Sequence, residues 1–363
     1  GLKAGFLFRG GVMTYMKSKL MKSLLFFVLI TLITLIFTSC NKGQQDLPEE
    51  INIGILRVPN DETIAIEEGL FDKYFSDKGI KCNFIVFDSG VEANQAFASG
   101  SIDFATMGNI NSIIAFVRDL DVELIWIHEV LGDIEALVVR ENDEVNSIND
   151  LVGKKIATPF ASTSHYILLN ILKEAGIEDK VQLLDMKTAE IVAAWSRGDI
   201  DAAYTWQPSL GELIANGGRV LISSEDMLEK GYITANVALV SKKFSEKYPD
   251  LVVSFIDCLA EANDIYLDDP ERAAEIVSKN LGISPETALT QMQGSIWLTR
   301  EEMISSMYMG TTENPGNFVK VMKDTSDFLY SQGFIENSPS LEEFSEFINP
   351  YYIEKSIEKD DEI

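Results

Sequence analysis

The sequence predicts an α/β protein built as two lobes, each around a parallel-core sheet, with two crossing strands between them. Helix-like segments alternate with short apolar strands from Ile51 onward, which is typical of parallel sheets covered by helices. A short pattern also recurs in the two halves of the chain. In addition, two long apolar segments stand where the chain has to pass from one lobe to the other and back.

The first lobe is predicted over residues 51–138. It opens with the alternating strand INIGILRV, which begins at Ile51, and continues with the strand KCNFIVF, which begins at Lys81. The segment between them, TIAIEEGLFDKYFSDKG, is helix-like and ends at Gly79, a residue type favoured just after a helix. This order of strand, helix and strand favours parallel pairing.

A sequence repeat links the two lobes. The segment FASGSIDFATMGN starts at Phe97, and the segment WSRGDIDAAYTWQ starts at Trp195. Each is interpreted as the end of a helix, a glycine cap and a buried strand, so the two lobes are predicted to share one supersecondary unit. Four positions are identical, 98 residues apart: Gly100 and Gly198, Ile102 and Ile200, Asp103 and Asp201, Ala105 and Ala203.

The second lobe is predicted over residues 139–235, and residues 236–363 are predicted to return to the first lobe and form the C-terminal helices. EALVVREND, from Glu135 to Asp143, is interpreted as the strand that leaves the first lobe. ITANVALVSKKF, from Ile233 to Phe244, is interpreted as the strand that returns. Two crossing strands make a hinge, and a hinge leaves a cleft between the lobes.

Residues 1–39 are predicted to be upstream read-through followed by a signal peptide of the lipoprotein type. An uncharged apolar run of 14 residues, Leu24 to Phe37, follows three lysines. A membrane-spanning helix needs about 20 apolar residues, so the run favours a cleaved signal; an uncleaved anchor stays the alternative. The small residues before Cys40 resemble a bacterial lipobox. We therefore expect a lipidated Cys40, with residues 40–50 tethering the protein outside a bacterial cell membrane.

Composition and missing motifs exclude several function classes. Acidic residues number 57 against 30 basic ones, and the formal charge of −27 argues against nucleic-acid binding, which needs clustered Lys and Arg. The chain has two histidines and contains no Walker A, Gly-x-Ser-x-Gly, His-Glu-x-x-His or Cys-x-x-Cys pattern. We therefore expect a protein without catalysis, cofactor or metal site. Cys82 and Cys258 are expected to be buried free thiols.

Polar residues follow the predicted strands at their carboxyl ends. Ligands bind off these ends in open parallel sheets, so the residues there are candidates for a binding site. The candidates are Asn60, Asp61, Ser89, Gly108 and Asn109 in the first lobe, Ser162, Thr163, Ser164, His165, Tyr204, Trp206 and Gln207 in the second, and Asn236 on the returning strand.

One of these segments predicts an anion site. No Asp or Glu occurs between Asp150 and Glu174, although the chain is acidic. Within this stretch Ser162, Thr163 and Ser164 occupy the N-terminus of the helix-like run HYILLNILKEAG. Free N–H groups and the positive end of the helix dipole attract anions at such a place. Ordinary helix capping by serine and threonine is the alternative that this segment leaves open.

Four segments carry a family resemblance: FDSG from Phe87, LGDIEALVVR from Leu131, LVGKKIATPFASTSHYILL from Leu151 and IVAAWSRGDIDAAYTWQPSL from Ile191. They resemble the solute-binding proteins of taurine importers, within the sulfonate, nitrate and taurine group of ABC importer receptors. The likeness runs from about Ile51 to the last helices. It implies a two-lobed periplasmic-binding-protein fold of type II that closes on its ligand and then docks on a membrane permease with ATPase subunits. A monomer is expected.

The resemblance also implies where a sulfonate lies. The sulfonate group would rest against the helix start from Ser162 to His165 and against the turn of Gly108 and Asn109. Trp206 and Gln207 would pack around the short carbon chain.

The ammonium end of a taurine ligand is matched less closely. Asn60 and Asn236 stand where taurine-type relatives are expected to carry acids, and an asparagine supplies no charge against a buried cation. Asp61, Asp133 or Glu135 takes that role if the ligand is taurine.

The predicted function is therefore a lipid-anchored extracytoplasmic receptor that binds taurine or a similar small sulfonate and delivers it to an ABC permease. Alternatives that keep the fold are an alkanesulfonate, nitrate or a thiamine-precursor pyrimidine as cargo, or a sensory subunit that presents its ligand. Thiamine-pyrimidine synthases share this fold, but the chain lacks the cysteine-rich metal-binding run expected of such an enzyme.

Overall fold

The computed structural model describes residues 47–142 and 144–361, and in that part of the chain helices surround two β-sheets. The predicted signal peptide, Cys40 and most of the predicted tether lie outside the described residues. None of the helices that the structure describes has the length and apolar character needed to cross a membrane.

The strands are short and largely buried, as the apolar segments of the sequence predict. In chain order they are β1 (Glu50–Leu56), β2 (Lys81–Phe87), β3 (Phe104–Gly108), β4 (Val122–Leu131), β5 (Glu135–Arg140), β6 (Lys155–Thr158), β7 (Gln182–Asp185), β8 (Ala202–Trp206), β9 (Gly218–Ser223), β10 (Ala235–Ser241) and β11 (Ser295–Ile296).

Helices follow most of the strands up to β10 and dominate the C-terminal part. In chain order they are α1 (Asp61–Glu67), α2 (Leu70–Phe75), α3 (Gly90–Ser99), α4 (Asn109–Val117), α5 (Thr163–Ala175), α6 (Thr188–Arg197), α7 (Ser209–Ala215), α8 (Glu225–Leu228), α9 (Lys242–Lys247), α10 (Pro249–Asp268), α11 (Pro270–Leu281), α12 (Pro285–Met292), α13 (Arg300–Met303), α14 (Asn317–Ser331), α15 (Leu341–Phe347) and α16 (Tyr351–Asp361).

The two sheets share an arrangement of five strands, and β11 is an additional edge strand of the first sheet. The first sheet has the order β11-β4-β10-β3-β1-β2, and the second has the order β7-β6-β8-β5-β9. In the first, β1 pairs in parallel with β2 and β3, and β10 pairs antiparallel with β3 and β4. In the second, β6 pairs in parallel with β7 and β8, and β5 pairs antiparallel with β8 and β9. The predicted fold class is confirmed.

The sequence repeat marks equivalent places in the two sheets. Gly100 and Gly198 follow α3 and α6 in the left-handed conformation, with φ of 69° and 79°, a region that glycine enters without strain. Asp103 then accepts a hydrogen bond from the Asn52 backbone N–H at 2.9 Å. Asp201 accepts one from the Lys155 backbone N–H at 2.8 Å. Each aspartate therefore fixes the start of a strand to its parallel neighbour and serves the fold.

The chain passes between the sheets earlier than the sequence predicted. Strand β4 ends at Leu131 in the first sheet, and β5 begins at Glu135 in the second, where residues 135–139 pair with β8. The predicted boundary after residue 138 therefore lies inside β5, and this strand belongs wholly to the second sheet. Hydrogen bonding to β8 sets its place, which a single apolar segment does not reveal. The chain returns between β9 and β10.

Apolar packing holds each sheet to its helices. Around the first sheet, Phe104 of β3 stacks on Phe255 of α10 with ring centroids 4.2 Å apart. A smaller cluster packs α6 and α7 on the second sheet around Trp195, which is buried. Cys258 is buried, Cys82 is half-buried, and both thiols are free.

Candidate ligand-binding site

A cavity lies between the two sheets, at the carboxyl ends of β1, β3 and β8. It holds about 530 Å³ of empty space, counting the part open to solvent. The structure places these sequence-predicted residues on its wall: Ser89, Gly108, Glu135, Ser162, Thr163, Trp206, Gln207 and Asn236.

Other wall residues were not singled out from the sequence. Some are apolar residues next to predicted strand ends, and others are small or polar residues at helix starts. Their closeness to a strand end is the one sequence signal that could have identified them. They are Leu56, Val58, Gly90, Val91, Asn111, Leu131, Ile134, Phe160 and Ala161.

Three helices begin at the cavity. Helix α3 starts at Gly90, α4 starts at Asn109, and α5 starts at Thr163. The first N–H groups of a helix have no acceptor within the helix, and neither Ser89 nor Gly108 caps its helix with a side chain. The positive ends of three helix dipoles therefore face one space, which favours a negative group there.

The start of α5 is held in shape by its own residues. Ser162 caps the helix by accepting a hydrogen bond from the His165 N–H at 3.2 Å. The Ala161 N–H donates to Nδ1 of His165 at 3.2 Å, and the imidazole stacks on Phe160 at 4.2 Å. Burial lowers the pKa of His165 to about 4, so the ring is neutral at neutral pH. His165 thus shapes the loop and does not reach the cavity wall.

Ala161 has an unusual backbone conformation. Its φ of 56° lies in the left-handed region, which side chains other than glycine rarely adopt. Such strain persists where the surrounding structure enforces it, often at ligand sites. Here the carbonyl of Ala161 accepts a hydrogen bond from the Asn111 amide at 2.8 Å, a contact between the two lobes.

Glu135 is the acid on the wall. It begins β5 and is fully buried. Its Oε1 accepts from the Ser224 hydroxyl at 2.7 Å, and its Oε2 accepts from the hydroxyls of Ser164, at 3.0 Å, and Thr163. Burial raises the pKa of Glu135, and the three hydroxyl donors oppose that rise. Within the described residues, no Lys, Arg or His lines the cavity.

Two predicted residues, Ser164 and Tyr204, hold Glu135 in place by hydrogen bonds and lie outside the cavity wall. Ser164 donates to its carboxylate, and Tyr204 shares a hydrogen bond of 3.1 Å with Ser224, which donates to the same carboxylate. Ser164 and Tyr204 are buried and do not line the cavity.

Asn60 and Asp61 face the interior of the first lobe. The side chain of Asn60 caps α1 by accepting from the Thr63 N–H at 3.1 Å. Asp61 accepts from Nε1 of Trp126 at 2.7 Å and pairs with Nδ1 of His128 at 2.5 Å. Burial would lower the pKa of His128, but the adjoining Asp61 carboxylate raises it to about 9. Asp61 is therefore engaged by Trp126 and His128 inside the first lobe.

The remaining predicted residues lie in three different places. Asn109 accepts from the Ala235 N–H at 3.3 Å, inside the first lobe. Asp133 is exposed beyond the wall and accepts from the Ser223 hydroxyl at 2.6 Å. On the wall itself, Asn236 donates at 2.6 Å to Glu129, a buried acid of β4.

The lobes touch across the cavity. Gly108 lies so close to Thr163 that a Cβ atom at position 108 would be 2.8 Å from the threonine Cγ2. At the rim, Lys187 of the second lobe contacts Glu92 at 2.6 Å and Asp88 at 3.6 Å in the first. The structure therefore shows the lobes in a closed arrangement.

Residues 64–273 match the family model described as NMT1/THI5 like. The chain belongs to this family. It is also 32% identical, over 289 residues, to the taurine-binding periplasmic protein of Escherichia coli strain K12, across 77% of this chain and 86% of that protein. The resemblance inferred from the sequence is thus confirmed.

Solved structures agree on the fold. The periplasmic aliphatic sulphonate binding protein SsuA from Escherichia coli superposes with a TM-score of 0.66 at 20% identity, over 82% of this chain and 92% of that one. The alkanesulfonate-binding protein SsuA from Xanthomonas axonopodis pv. citri, bound to MOPS, gives 0.67 at 20% identity, over 81% and 96%. These two proteins and the taurine-binding relative are all named as binding proteins.

Proposed function

We propose that this protein is an extracytoplasmic receptor that binds taurine, or a closely similar aminosulfonate, between its lobes and delivers it to an ABC permease. The observation that carries the proposal is the cavity wall, where three helix starts face one buried carboxylate, Glu135. A ligand with one negative and one positive end fits this division of charge.

The helix starts suit a sulfonate. A sulfonate stays ionised at any physiological pH, and its oxygens accept hydrogen bonds from backbone N–H groups and hydroxyls. Positive helix ends provide these donors without a Lys or Arg side chain on the wall. Ser89 adds a hydroxyl group beside the backbone donors, whereas the hydroxyl of Thr163 already donates to Glu135.

Glu135 suits the ammonium. An ionised carboxylate has about four acceptor positions on its two oxygens, and three hydroxyl donors already point at this one. The fourth position can accept an ammonium N–H. The bound cation then compensates the buried charge, which is costly when left unpaired. This assignment explains how the site could bind an ammonium although Asn60 and Asn236 stand where acids are expected: Glu135 supplies the negative charge.

Location and partners belong to the same proposal. The periplasmic location of the 32% identical relative and the apolar run before Cys40 support an exported, lipid-anchored protein. The closed lobes would present a single rigid surface to the permease and its ATPase subunits, with the receptor acting as a monomer.

Calorimetric titration tests the proposed ligand. The chain without residues 1–40 is unfolded and refolded to remove carried-over ligand, then titrated with taurine and with ethanesulfonate, which differ only by the amine. We expect taurine to bind at least about tenfold more tightly, since only its ammonium pairs with Glu135. Equal binding would contradict the aminosulfonate assignment.

A general alkanesulfonate receptor is the second candidate. The apolar side chains of Leu56, Val58 and Ile134 on the wall favour it, because they can pack against a carbon chain whether or not the ligand carries an amine. Equal affinity for taurine and ethanesulfonate in the same titration would support it. Absence of binding by either compound would redirect the assignment to nitrate or pyrimidine cargo.

A further inference from the structure

Asn236 lies between the binding cavity and the interior of the first lobe. On β10 it is the strand partner of Gly108 of β3 on one side and of Glu129 of β4 on the other. Asn236 and Gly108 line the cavity, whereas Glu129 is fully buried. Residues opposite each other in an antiparallel pair extend their side chains to the same face of the sheet. Glu129 therefore lies beside Asn236, one strand further from the cavity.

A hydrogen bond between these two side chains orients the Asn236 amide. Its Nδ2 donates to Oε1 of Glu129 at 2.6 Å. An amide carries its donor and its acceptor on opposite branches of one planar group, so a nitrogen held by Glu129 leaves the oxygen facing away from that acid. Within the described residues, no group donates to this oxygen. The oxygen is therefore an acceptor available to a ligand N–H.

Asn236 and Glu135 flank the same contact between the lobes. Gly108, the strand partner of Asn236, meets Thr163, and the Thr163 hydroxyl donates to Glu135. A ligand nitrogen at this contact can therefore donate to both side chains. A primary ammonium has three N–H groups, and Glu135 has one acceptor position left, so a second acceptor on the wall meets a need of the ligand.

Glu129 carries a proton near neutral pH. Its Oε2 is buried and has no hydrogen-bond partner in the part of the chain that the structure describes, and an ionised oxygen without donors is costly there. Burial raises the pKa of Glu129 to about 8. The charge of His128 and the hydrogen bond from Asn236 oppose that rise, and the charges of Asp61 and Glu62 on α1 add to it.

We propose that Glu129 is a positioning residue for the ammonium of the ligand, acting through Asn236, and that it gives up its proton when the ammonium binds. This inference rests on the proposed function of the cavity. The O–H bond of the Glu129 carboxyl breaks, its electron pair stays on the carboxylate, and the proton passes to the solvent. Two hydrogen bonds and the Asn236 amide separate the ligand nitrogen from this carboxylate by roughly 6 Å, and an opposite charge at that distance favours the ionised form.

Calorimetric titration in two buffers of different ionisation enthalpy counts the protons released on binding. Taurine and ethanesulfonate are titrated at about pH 7.5 into the refolded parent, Glu129→Gln and Glu62→Gln. Glutamine at position 129 keeps an acceptor for the Asn236 amide but has no proton to release. Glu62→Gln is the matched control, because Glu62 is also a buried acid with a raised pKa but accepts from Thr106 and does not contact Asn236.

With taurine, the parent and Glu62→Gln should each release about half a proton more than Glu129→Gln, as expected if the ammonium lowers the pKa of Glu129 by about one unit. The taurine affinity of the parent should rise about fivefold from about pH 6 to about pH 8, and that of Glu129→Gln should rise less. Ethanesulfonate has no ammonium and should release equal numbers of protons from the three proteins. If Glu129→Gln does not fold, Asn236→Ala removes the link to Glu129 and should remove the same half proton per bound taurine.

Equal proton release by the parent and Glu129→Gln would overturn the proposal. Loss of the extra half proton in Glu62→Gln would overturn it as well, by assigning that proton to Glu62. If taurine does not bind the parent at all, the function proposed for the cavity fails. Tight taurine binding without the extra proton leaves that function standing and removes this inference alone.

Discussion

The hydroxyl of Thr163 donates a hydrogen bond to the carboxylate of Glu135, so one residue belongs to both ends of the candidate site. Thr163 begins α5, whose N-terminus faces the cavity, while Glu135 begins strand β5 of the second sheet. The groups proposed for the sulfonate and for the ammonium are thereby held at a fixed separation. Such a frame selects ligands by the distance between their charges.

Replacing Glu135 with glutamine tests the role of its charge. Glu135→Gln keeps the shape and an acceptor oxygen but removes the charge, so taurine affinity should fall about tenfold to a hundredfold while ethanesulfonate affinity changes little. Asp133→Asn is the matched control, since that acid is exposed beyond the wall. Titration calorimetry measures both. A loss for taurine in the Asp133 variant, with none in the Glu135 variant, would assign the ammonium to Asp133.

Gly108 tests whether the lobes must approach closely to bind. An alanine Cβ at this position would lie 2.8 Å from Cγ2 of Thr163, closer than side-chain carbons pack. Gly108→Ala should therefore hinder closure and weaken taurine and ethanesulfonate alike, by about tenfold. Small-angle scattering should show less contraction on adding ligand.

A second substitution at Thr163 should restore the affinity that Gly108→Ala removes. Thr163→Ser removes Cγ2 but keeps the hydroxyl that donates to Glu135. The double variant should therefore recover most of the affinity lost by Gly108→Ala, which a double-mutant cycle measures. Additive losses in the cycle would mean that the two side chains do not limit closure together.

Local sequence signals predicted which strand ends and helix starts form the site better than they predicted which side chains face the cavity. Strand ends and helix starts follow from apolar periodicity and from caps, so Ser89, Gly108 and Ser162 were located correctly at the edges of their elements. Which acid faces the cavity was not predictable, because side-chain direction depends on pairing between distant segments. Asp61, for example, turns inward to His128, 67 positions along the chain.

The placement of β5 shows the same limit. Its apolar residues fit a strand in either sheet, and only hydrogen bonding with β8 and β9 assigns it to the second. That pairing also puts Glu135 opposite Trp206, and both residues line the binding cavity. Neither fact is encoded within one short window of sequence.

Lys187 tests the rim contact between the lobes. Its ammonium contacts Glu92 and Asp88. The side chains of Lys187 and Asp88 are mostly exposed and that of Glu92 is about one-third exposed, and ion pairs so open to solvent contribute little. Lys187→Ala should raise the taurine dissociation rate about twofold to fivefold at low salt and less at high salt. Lys320→Ala is the control, because Lys320 pairs with Asp324 within one helix. Stopped-flow dissociation that is equal in the two variants would exclude a closing role for Lys187.

Two buried acids of the first lobe, Glu129 and Glu62, predict how stability depends on pH. Burial raises the pKa of Glu129 to about 8, from 4.5, and that of Glu62 to about 7. The folded protein therefore binds more protons than the unfolded chain above about pH 5, so the free energy of unfolding should fall as pH rises toward 8. His128 acts in the same direction: its pKa, raised from 6.5 to about 9, gives stability that is complete below pH 6.5 and lost as pH rises through 9.

Glu129→Gln isolates one of these protons. Glutamine has no proton to lose in this range, and its Oε1 still accepts from the Asn236 amide, the contact that is 2.6 Å long in the structure. The decline in unfolding free energy between about pH 6 and about pH 8 should therefore be shallower in the variant, by up to about 1.4 kcal/mol per pH unit. Urea unfolding across this range measures it. Parallel profiles for the parent and the variant would mean that Glu129 is ionised throughout and that its proton does not stabilise the first lobe.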